Sequence, residues 1–216
     1  MYKGIIFDLD GTLLDTVTTI AYYGNKTLEK YGITAIDEKE YNYLAGKGAK
    51  YLVEAMLAFD GKDRKDMFEE VFADYMQAYN AAPLYKTEVF GGIKELLSAA
   101  KEKGLKIAVL SNKPHSSTPG IIEHFFGKGY FDICYGAREG VPLKPNPQSA
   151  FAVAKELGLE VDECIYVGDT DIDMRTGKAA GFYTVGVLWG FRDRPELEEN
   201  GADKIVSHPM EITDLF

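Results

Sequence analysis

The chain has 216 residues, of which 46% are hydrophobic and 27% charged, a composition typical of a globular protein rather than a disordered or fibrous one. Its 34 acidic residues outnumber its 24 basic residues, and the net charge of −10 argues against an extended surface for nucleic acid or anionic membranes. An anionic substrate would therefore need a local basic site.

Cysteine content and apolar runs indicate the compartment. Cys134 and Cys164 fall in predicted buried strands, where a free thiol behaves as a small apolar side chain; a disulfide or metal site is the alternative. The apolar run at 4–7 is too short for a signal peptide, and no window approaches the roughly 18 apolar residues of a membrane span. The sequence predicts a cytoplasmic protein without a membrane partner.

Six short runs rich in Ile and Val are apolar almost throughout, which predicts strands buried on both faces of a parallel sheet. These runs are 3–8, 105–111, 131–136, 163–169, 182–187 and 203–208. Helical patterns lie between the later runs, at 91–104, 116–126, 147–158 and 173–181. From residue 85 onward the alternation predicts an α/β fold with a doubly wound, Rossmann-like parallel sheet.

The stretch between the first strand and residue 85 has a different pattern. No convincing strand occurs from Thr16 to Ala82, and its apolar residues recur at helical spacing. These residues are Leu52, Met56, Phe59, Met67, Val71, Tyr75 and Tyr79. We interpret 16–83 as a small all-helical cap domain inserted after the first strand, and 1–15 together with 84–216 as the core domain.

Polar residues end three of the predicted strands: Asp8, Ser111 and Asp169. Ligands of doubly wound sheets bind at the carboxyl ends of the strands, where these side chains would meet. Carboxylates from two strand ends would form an oxygen-rich site suited to a hard divalent cation such as Mg²⁺. The sequence therefore predicts a metal site at this edge.

The segment that follows the first strand carries two close carboxylates. Asp8 and Asp10 share a side if the chain stays extended, so both can face one ligand. Gly11 would let the backbone approach an anion closely, and the Thr12 hydroxyl can fix the turn by hydrogen bonding. We expect this turn to hold a ligand.

Lys144 is the basic candidate, on a loop stiffened by Pro142 and Pro145. Its charge suits a phosphoryl group, although a loop lysine can equally be a solvated surface residue. Ser111 and Asn112 offer a hydroxyl and an amide for phosphate oxygens, with a simple turn cap as the alternative.

Four segments together resemble the ordered motifs of the haloacid dehalogenase superfamily. They are FDLDGTLLDT at 7–16, LSNKP at 110–114, LKPNP at 143–147 and VGDTDID at 167–173. The cap position and the stretch at 186–203 are most similar to the phosphoglycolate phosphatase-like branch. The resemblance implies a Mg²⁺-dependent phosphomonoester hydrolase that acts on a small phosphorylated metabolite through an aspartyl-phosphate.

The resemblance also implies roles for the acidic residues. Asp8 would be the nucleophile, and Asp10 the general acid for the leaving group and then the base for water. The metal would be held by the Asp8 side chain, the Asp10 backbone carbonyl and Asp169. Asp173 would orient Lys144 or a water from behind these groups.

Lys144 and Ser111 would bind the phosphate. Asn112 and the backbone N–H groups from Leu9 to Gly11 would contribute further hydrogen bonds. Thr12 would support the site from behind. Asp171 is left out of the site, as a cap for the following helix.

The cap loop AGKGAKYLV at 45–53 resembles the substrate-specificity loop of this branch. Lys47, between Gly46 and Gly48, could meet a substrate carboxylate or could be solvated, and Lys50 is a neighbouring candidate. His115, after the second motif, could reach the phosphate or face solvent.

Two other functions share these residues. A phosphomutase similar to β-phosphoglucomutase would have the same core and differ in the cap, and a non-catalytic phosphate-binding module would have kept only the fold. The acidic residue Asp10 at the second position of the first motif favours hydrolysis of a phosphate ester. A dehalogenase would not need it, because a halide leaving group takes no proton. The sequence leaves the choice of ester and a monomeric or dimeric state open.

Overall fold

The computed structural model describes residues 2–216. Its strands are, in chain order, β1 (Gly4–Phe7), β2 (Leu14–Asp15), β3 (Glu88–Val89), β4 (Lys106–Pro114), β5 (Ile133–Ala137), β6 (Cys164–Gly168), β7 (Tyr183–Val187) and β8 (Lys204–Val206). Its α-helices are α1 (Val17–Lys30), α2 (Tyr41–Leu44), α3 (Ala49–Ala58), α4 (Phe68–Ala81), α5 (Ile93–Glu102), α6 (Thr118–Phe126), α7 (Gln148–Leu157), α8 (Asp171–Ala180) and α9 (Arg194–Glu199). Short 3-10 helices lie at Glu38–Glu40, Lys65–Met67, Val161–Glu163 and Pro209–Leu215.

The six predicted strands form one parallel sheet in the order β5-β4-β1-β6-β7-β8. β1 lies at its centre, with Gly4 opposite Lys106 on one side and opposite Cys164 on the other. The carboxyl ends of β4, β1 and β6 therefore meet at one edge, as predicted.

Helices cover both faces of the sheet. Alternate β1 side chains point to opposite sides, with Ile5 and Phe7 in one apolar cluster and Ile6 in another. Residues of α5 and α6 fill the first cluster, and residues of α7 and α8 fill the second. This arrangement confirms the doubly wound α/β fold.

The first turn of α8 differs from the prediction. The helix begins at Asp171 rather than 173, because the Thr170 hydroxyl accepts the Asp173 backbone N–H and the Asp173 carboxylate accepts the Thr170 N–H. Thr170 is thus the N-cap, and the predicted capping role of Asp171 is wrong. Asp171 lies in the first turn and pairs with Arg175 at 3.4 Å.

Helices α1 to α4 form a third apolar cluster, to which the core contributes Phe191 from the loop after β7. Most of the residues with helical spacing are buried in it: Leu52, Met56, Val71, Tyr75 and Tyr79. Phe59 is instead 45% exposed, because α3 ends one residue earlier and its side chain leaves the buried face. The helical character predicted for this stretch is confirmed.

The chain enters and leaves this helical unit through an antiparallel ribbon. Leu14 pairs with Val89, and Asp15 with Glu88. Two-residue strands carry no periodicity, so the sequence could not predict them. The domain limits at 15/16 and 83/84 remain a prediction, which the separate apolar cluster and this double crossing support.

Both cysteines of the described residues are free. Cys164 is buried and Cys134 half-buried, and burial raises the pKa of each thiol to about 11. These thiols are therefore part of the packing, as expected. Among the helices of residues 2–216, none is long and apolar enough to cross a membrane.

Two helical glycines provide a matched stability test. A Cβ at Gly24 in α1 would lie within 2.9 Å of three phenol atoms of Tyr41, which is fully buried, whereas a Cβ at Gly120 in α6 meets no described atom within 4 Å. We expect Gly24→Ala to lower the free energy of unfolding by about 1–3 kcal/mol through overpacking. Gly120→Ala should raise it by about 0.5–1 kcal/mol through helix propensity.

Urea titration of both variants measures these changes. Equal effects of the two substitutions would contradict the close packing of α1 against Tyr41.

Candidate active site

The site begins at the end of β1. The Asp8 backbone N–H donates to the Val167 carbonyl of β6 at 2.9 Å, so the chain stays in register with its neighbour up to this residue. Ser111 lies in β4 on the other side, and Asp169 directly follows β6. The structure thus brings together the three residues that end the predicted strands.

A tight turn follows Asp8. The Leu9 carbonyl accepts the backbone N–H groups of Thr12, Leu13 and Leu14, and Gly11 has a positive φ of 83°. A Cβ on Gly11 would lie within 2.9 Å of the Asp169 carboxylate. Glycine is therefore needed both for the backbone conformation and for the close approach of Asp169.

Three carboxylates form a buried cluster at this edge. One oxygen each of Asp8, Asp169 and Asp173 lies within 4.8 Å of the others. Burial, then the charge of Asp173, raises the pKa of Asp8 to about 7, against the lowering effect of Lys144. Burial also raises the pKa of Asp169 well above its usual value. Such a cluster gains from a bound cation.

The donor set fits a hard divalent cation. All three side chains offer carboxylate oxygens, the ligands that Mg²⁺ prefers. Asp8 Oδ1 is buried and lies 2.9 Å from the Lys144 ammonium, so a metal would add a second positive charge to the carboxylate of Asp8. The predicted contribution of Asp10 is its backbone carbonyl and remains a prediction.

Asp169 is held from two sides. Its Oδ1 accepts the Thr12 hydroxyl at 2.7 Å, and its Oδ2 accepts the Phe191 backbone N–H at 2.9 Å. Thr12 thus supports the site from behind, where it was expected. The Phe191 N–H belongs to the loop after β7. Nothing in the sequence indicated that this backbone group would bind Asp169.

Lys144 reaches the cluster with its ammonium group. Nζ lies 2.9 Å from Asp8 Oδ1 and 2.7 Å from Asp173 Oδ1, and the side chain is 2% exposed. Burial disfavours its charge, but Asp173 and Asp8 raise its pKa well above the ordinary value, so it stays protonated. Asp173 in turn accepts the Thr170 hydroxyl at 2.7 Å, which fixes its orientation.

Ser111 and Asn112 differ in what their side chains do. Ser111 is buried, lines the cavity and accepts the Lys113 backbone N–H at 3.2 Å. Asn112 donates its two amide hydrogens to the carbonyls of Gly46 and Lys144, both at 3.1 Å, and its oxygen accepts the Lys144 N–H. Its amide therefore has no hydrogen left for phosphate, and the predicted phosphate contact of this side chain is wrong. The side chain instead links the loop of Gly46 to the loop of Lys144 through hydrogen bonds.

Lys113 is a site residue that the sequence analysis missed. Its buried Nζ lies 3.0 and 3.1 Å from the two carboxylate oxygens of Asp10 and 4.7 Å from the ring centre of Tyr79. Burial works against its charge, while Asp10 and Tyr79 raise the pKa of Lys113 above its usual value. Strand alternation was the available signal, since Lys113 lies two residues after Ser111 and shares its side.

A cavity of about 60 Å³ lies between the core and the helical cap. Core residues and cap residues both line it, among them Asp8, Asp10, Ser111, Lys113, Leu52, Tyr75, Met76 and Tyr79. Lys47 does not line it: its Nζ lies 4.7 Å from the ring centre of Tyr51 and 3.4 Å from the Tyr51 hydroxyl. A substrate contact by Lys47 or Lys50 remains a prediction.

Arg192 fastens the cap loop to the core. From the loop after β7 its guanidinium donates to the carbonyls of Tyr43 and Ala45, at 3.4 and 3.3 Å, and pairs with Glu196 at 2.9 Å. Because the cap partners are backbone carbonyls, their sequence carries no signal for this contact. His115 does not line the cavity, and its Nδ1 accepts the Gly136 N–H at 3.1 Å.

Comparisons with known proteins agree with this geometry. A family model for haloacid dehalogenase-like hydrolases matches residues 5–187. A phosphoglycolate phosphatase of Aquifex aeolicus is 33% identical over 98% of this chain and 95% of its own length. A phosphoglycolate phosphatase of Rhodospirillum rubrum is 32% identical over 90% of this chain and 83% of its own length.

A crystal structure of a provisionally named phosphoglycolate phosphatase from Lactobacillus delbrueckii subsp. bulgaricus superposes with a TM-score of 0.90. It is 30% identical and covers 99% of this chain and 98% of its own. The chain therefore belongs to the haloacid dehalogenase-like hydrolase family.

Proposed function

We propose that this protein is a Mg²⁺-dependent phosphatase that hydrolyses a small phosphate monoester, with phosphoglycolate as the first candidate. The position of Asp8 carries the proposal: its buried carboxylate lies 2.9 Å from the Lys144 ammonium and within 4.8 Å of two further carboxylates. A phosphoryl group at this point would meet a nucleophile, a cation site and a fixed positive charge together.

Hydrolysis proceeds in two displacements at phosphorus. An Asp8 carboxylate oxygen attacks, the bond from phosphorus to the ester oxygen breaks, and Asp10 gives its proton to the departing alkoxide. Asp10 then takes a proton from a water, whose oxygen attacks the aspartyl-phosphate, and inorganic phosphate leaves as the Asp8 carboxylate is regenerated. The place of Asp8 in the acid cluster and the place of Asp10 in the cavity wall support these separate roles.

Asp8, Asp169 and the Asp10 backbone carbonyl would hold Mg²⁺, which supplies positive charge against the phosphoryl oxygens. Lys144, the Ser111 hydroxyl and the backbone N–H groups of Leu9 and Asp10 would bind the same oxygens. The Gly11 N–H, which was expected to join them, instead donates to the Leu14 carbonyl at 2.9 Å. Asp173 fixes Lys144 through the 2.7 Å contact of their side chains.

The substrate would be a small phosphorylated metabolite. The cavity of about 60 Å³ has the room that a handful of waters occupies, which favours a short ester over a hexose phosphate and so disfavours the phosphomutase alternative. The relatives named above are phosphoglycolate phosphatases. We also propose that the enzyme is cytoplasmic and binds no nucleic acid. The net charge of −10 supports the absence of a nucleic-acid partner.

Asp8→Asn should keep the fold and lower phosphate release from phosphoglycolate by about a thousandfold or more, because it removes the nucleophile. Asp171→Asn is the matched control: it lies in the same acidic run but pairs with Arg175 outside the cluster, and it should retain activity. Colorimetric phosphate release in Mg²⁺ buffer measures both. Retained turnover in Asp8→Asn would show that the nucleophile is misassigned.

Mg²⁺ should stabilise the protein more at pH 7.5 than at pH 5. The pKa of Asp8 is raised to about 7, so the folded chain binds more protons than the unfolded chain between about pH 4 and 7, and its stability in EDTA should fall as pH rises through that window. Saturating Mg²⁺ at pH 7.5 should then add roughly 2–4 kcal/mol. At pH 5 protons compete with the metal and the gain should shrink.

Thermal denaturation with EDTA or Mg²⁺ at both pH values measures this effect. Asp169→Asn should lose the response to Mg²⁺, and an equal response in that variant would place the metal elsewhere.

A further inference from the structure

A polar corner of the cavity has no role in the chemistry above. The Tyr79 hydroxyl, on α4 of the cap, is buried and has no hydrogen-bond partner among residues 2–216, although Tyr79 lines the cavity. A buried phenol without a well-formed hydrogen bond is unfavourable, and a polar group of a ligand in the cavity would supply one.

Lys113 lies beside this hydroxyl and also lines the cavity. An ammonium has three hydrogens to donate, and within the described chain its acceptors are the two oxygens of one carboxylate, that of Asp10. The third hydrogen is on the side of the Tyr79 phenol, whose ring centre lies 4.7 Å from Nζ. The lysine side chain is only 5% exposed and carries a full positive charge. This corner is suited to an anion.

We propose that Lys113 and Tyr79 bind a carboxylate on the leaving group of the substrate. The proposal rests on the proposed phosphatase function and specifies its substrate class. The two residues come from the core and the cap respectively, so the corner is complete only when the cap lies against the core, as it does here.

The distance to Asp10 limits the length of the leaving group. A general acid must lie within about 3 Å of the oxygen that it protonates. Lys113 Nζ lies 3.0 Å from Asp10 Oδ1, so Nζ is within roughly 6 Å of the ester oxygen, and an anion hydrogen-bonded to Nζ is within roughly 9 Å of it. A two- or three-carbon phosphorylated acid fits within that limit, and the cavity of about 60 Å³ favours such a short acid over a longer one.

The same geometry separates Lys113 from the earlier candidate on the cap loop. The Lys47 ammonium is directed to Tyr51 and is absent from the cavity lining. Recognition of the carboxylate by Lys113 would need no movement of that loop.

The test compares two esters of equal length, 2-phosphoglycolate and 2-hydroxyethyl phosphate, which differ in the carboxylate. Wild type should prefer the acid in kcat/KM, and Lys113→Met should reduce this preference at least about tenfold, mainly through KM. Lys113→Arg should restore part of it. Lys94→Met, on the exposed face of α5, is the matched control and should keep the full preference.

Tyr79→Phe gives an independent readout. It should reduce the preference for the acid severalfold yet leave the urea midpoint unchanged or higher, because the lost hydroxyl has no partner in the free protein. A clear loss of stability would mean that the hydroxyl serves the fold and would count against the proposal.

Other outcomes overturn the proposal in distinct ways. If Lys113→Met slows both esters by one factor, Lys113 acts only by positioning Asp10. If Lys47→Met removes the preference, the specificity residue is on the cap loop. If wild type hydrolyses both esters equally, the phosphatase function stands and the carboxylate site fails.

If wild type hydrolyses neither ester, the proposed function itself fails. Calorimetric titration of wild type and Lys113→Met with the two esters then decides the carboxylate site separately. Tighter binding of the acid that Lys113→Met abolishes would support it, and equal binding would overturn it.

Discussion

The structure depends on the neutralisation of buried acid charge at the centre of the sheet. Asp8 and Asp169 at two strand ends and Asp173 in the first turn of α8 have carboxylate oxygens within 4.8 Å of one another. Burial and mutual repulsion disfavour ionisation of Asp8 and Asp169 there. Lys144 supplies one positive charge between Asp8 and Asp173. One ammonium does not balance three carboxylates, and the remaining charge accounts for the affinity for a cation that we infer. The stability of this edge and its chemistry therefore have the same origin.

A second ion pair separates the two aspartates of the first turn. Asp8 and Asp10 are one residue apart, yet Asp8 contacts Lys144 within the acid cluster and Asp10 contacts Lys113 at the cavity wall. Asp8 thus lies within the acid cluster, where we infer the nucleophile, and Asp10 lies at the wall of the cavity, where we infer the group that exchanges protons with the leaving group and with water. Lys113 lies in β4 and Lys144 in the loop before α7, so this separation is a property of the fold.

The cap completes the site through contacts that are mostly made by backbone atoms on its side. Asn112 donates to the Gly46 carbonyl, and Arg192 donates to the carbonyls of Tyr43 and Ala45. Such contacts tolerate changes in the cap side chains, so the residues that face the cavity can vary while the closed arrangement is kept. Tyr79 is one of those facing residues, and we infer that it contributes to substrate choice.

Local patterns in the sequence determined the six strands of the sheet, the helical insertion and the convergence of Asp8, Ser111 and Asp169, because apolar runs and strand ends are properties of short segments. The tertiary structure decided which polar side chains were already occupied: Asn112 as a link between two loops, Thr170 as the helix cap and Lys113 as the partner of Asp10. It also decided the pairing of the two-residue strands β2 and β3 and the hydrogen bond from Arg192 to the Ala45 carbonyl. Each of these depends on groups far apart in the chain, and only folding brings them within hydrogen-bonding distance.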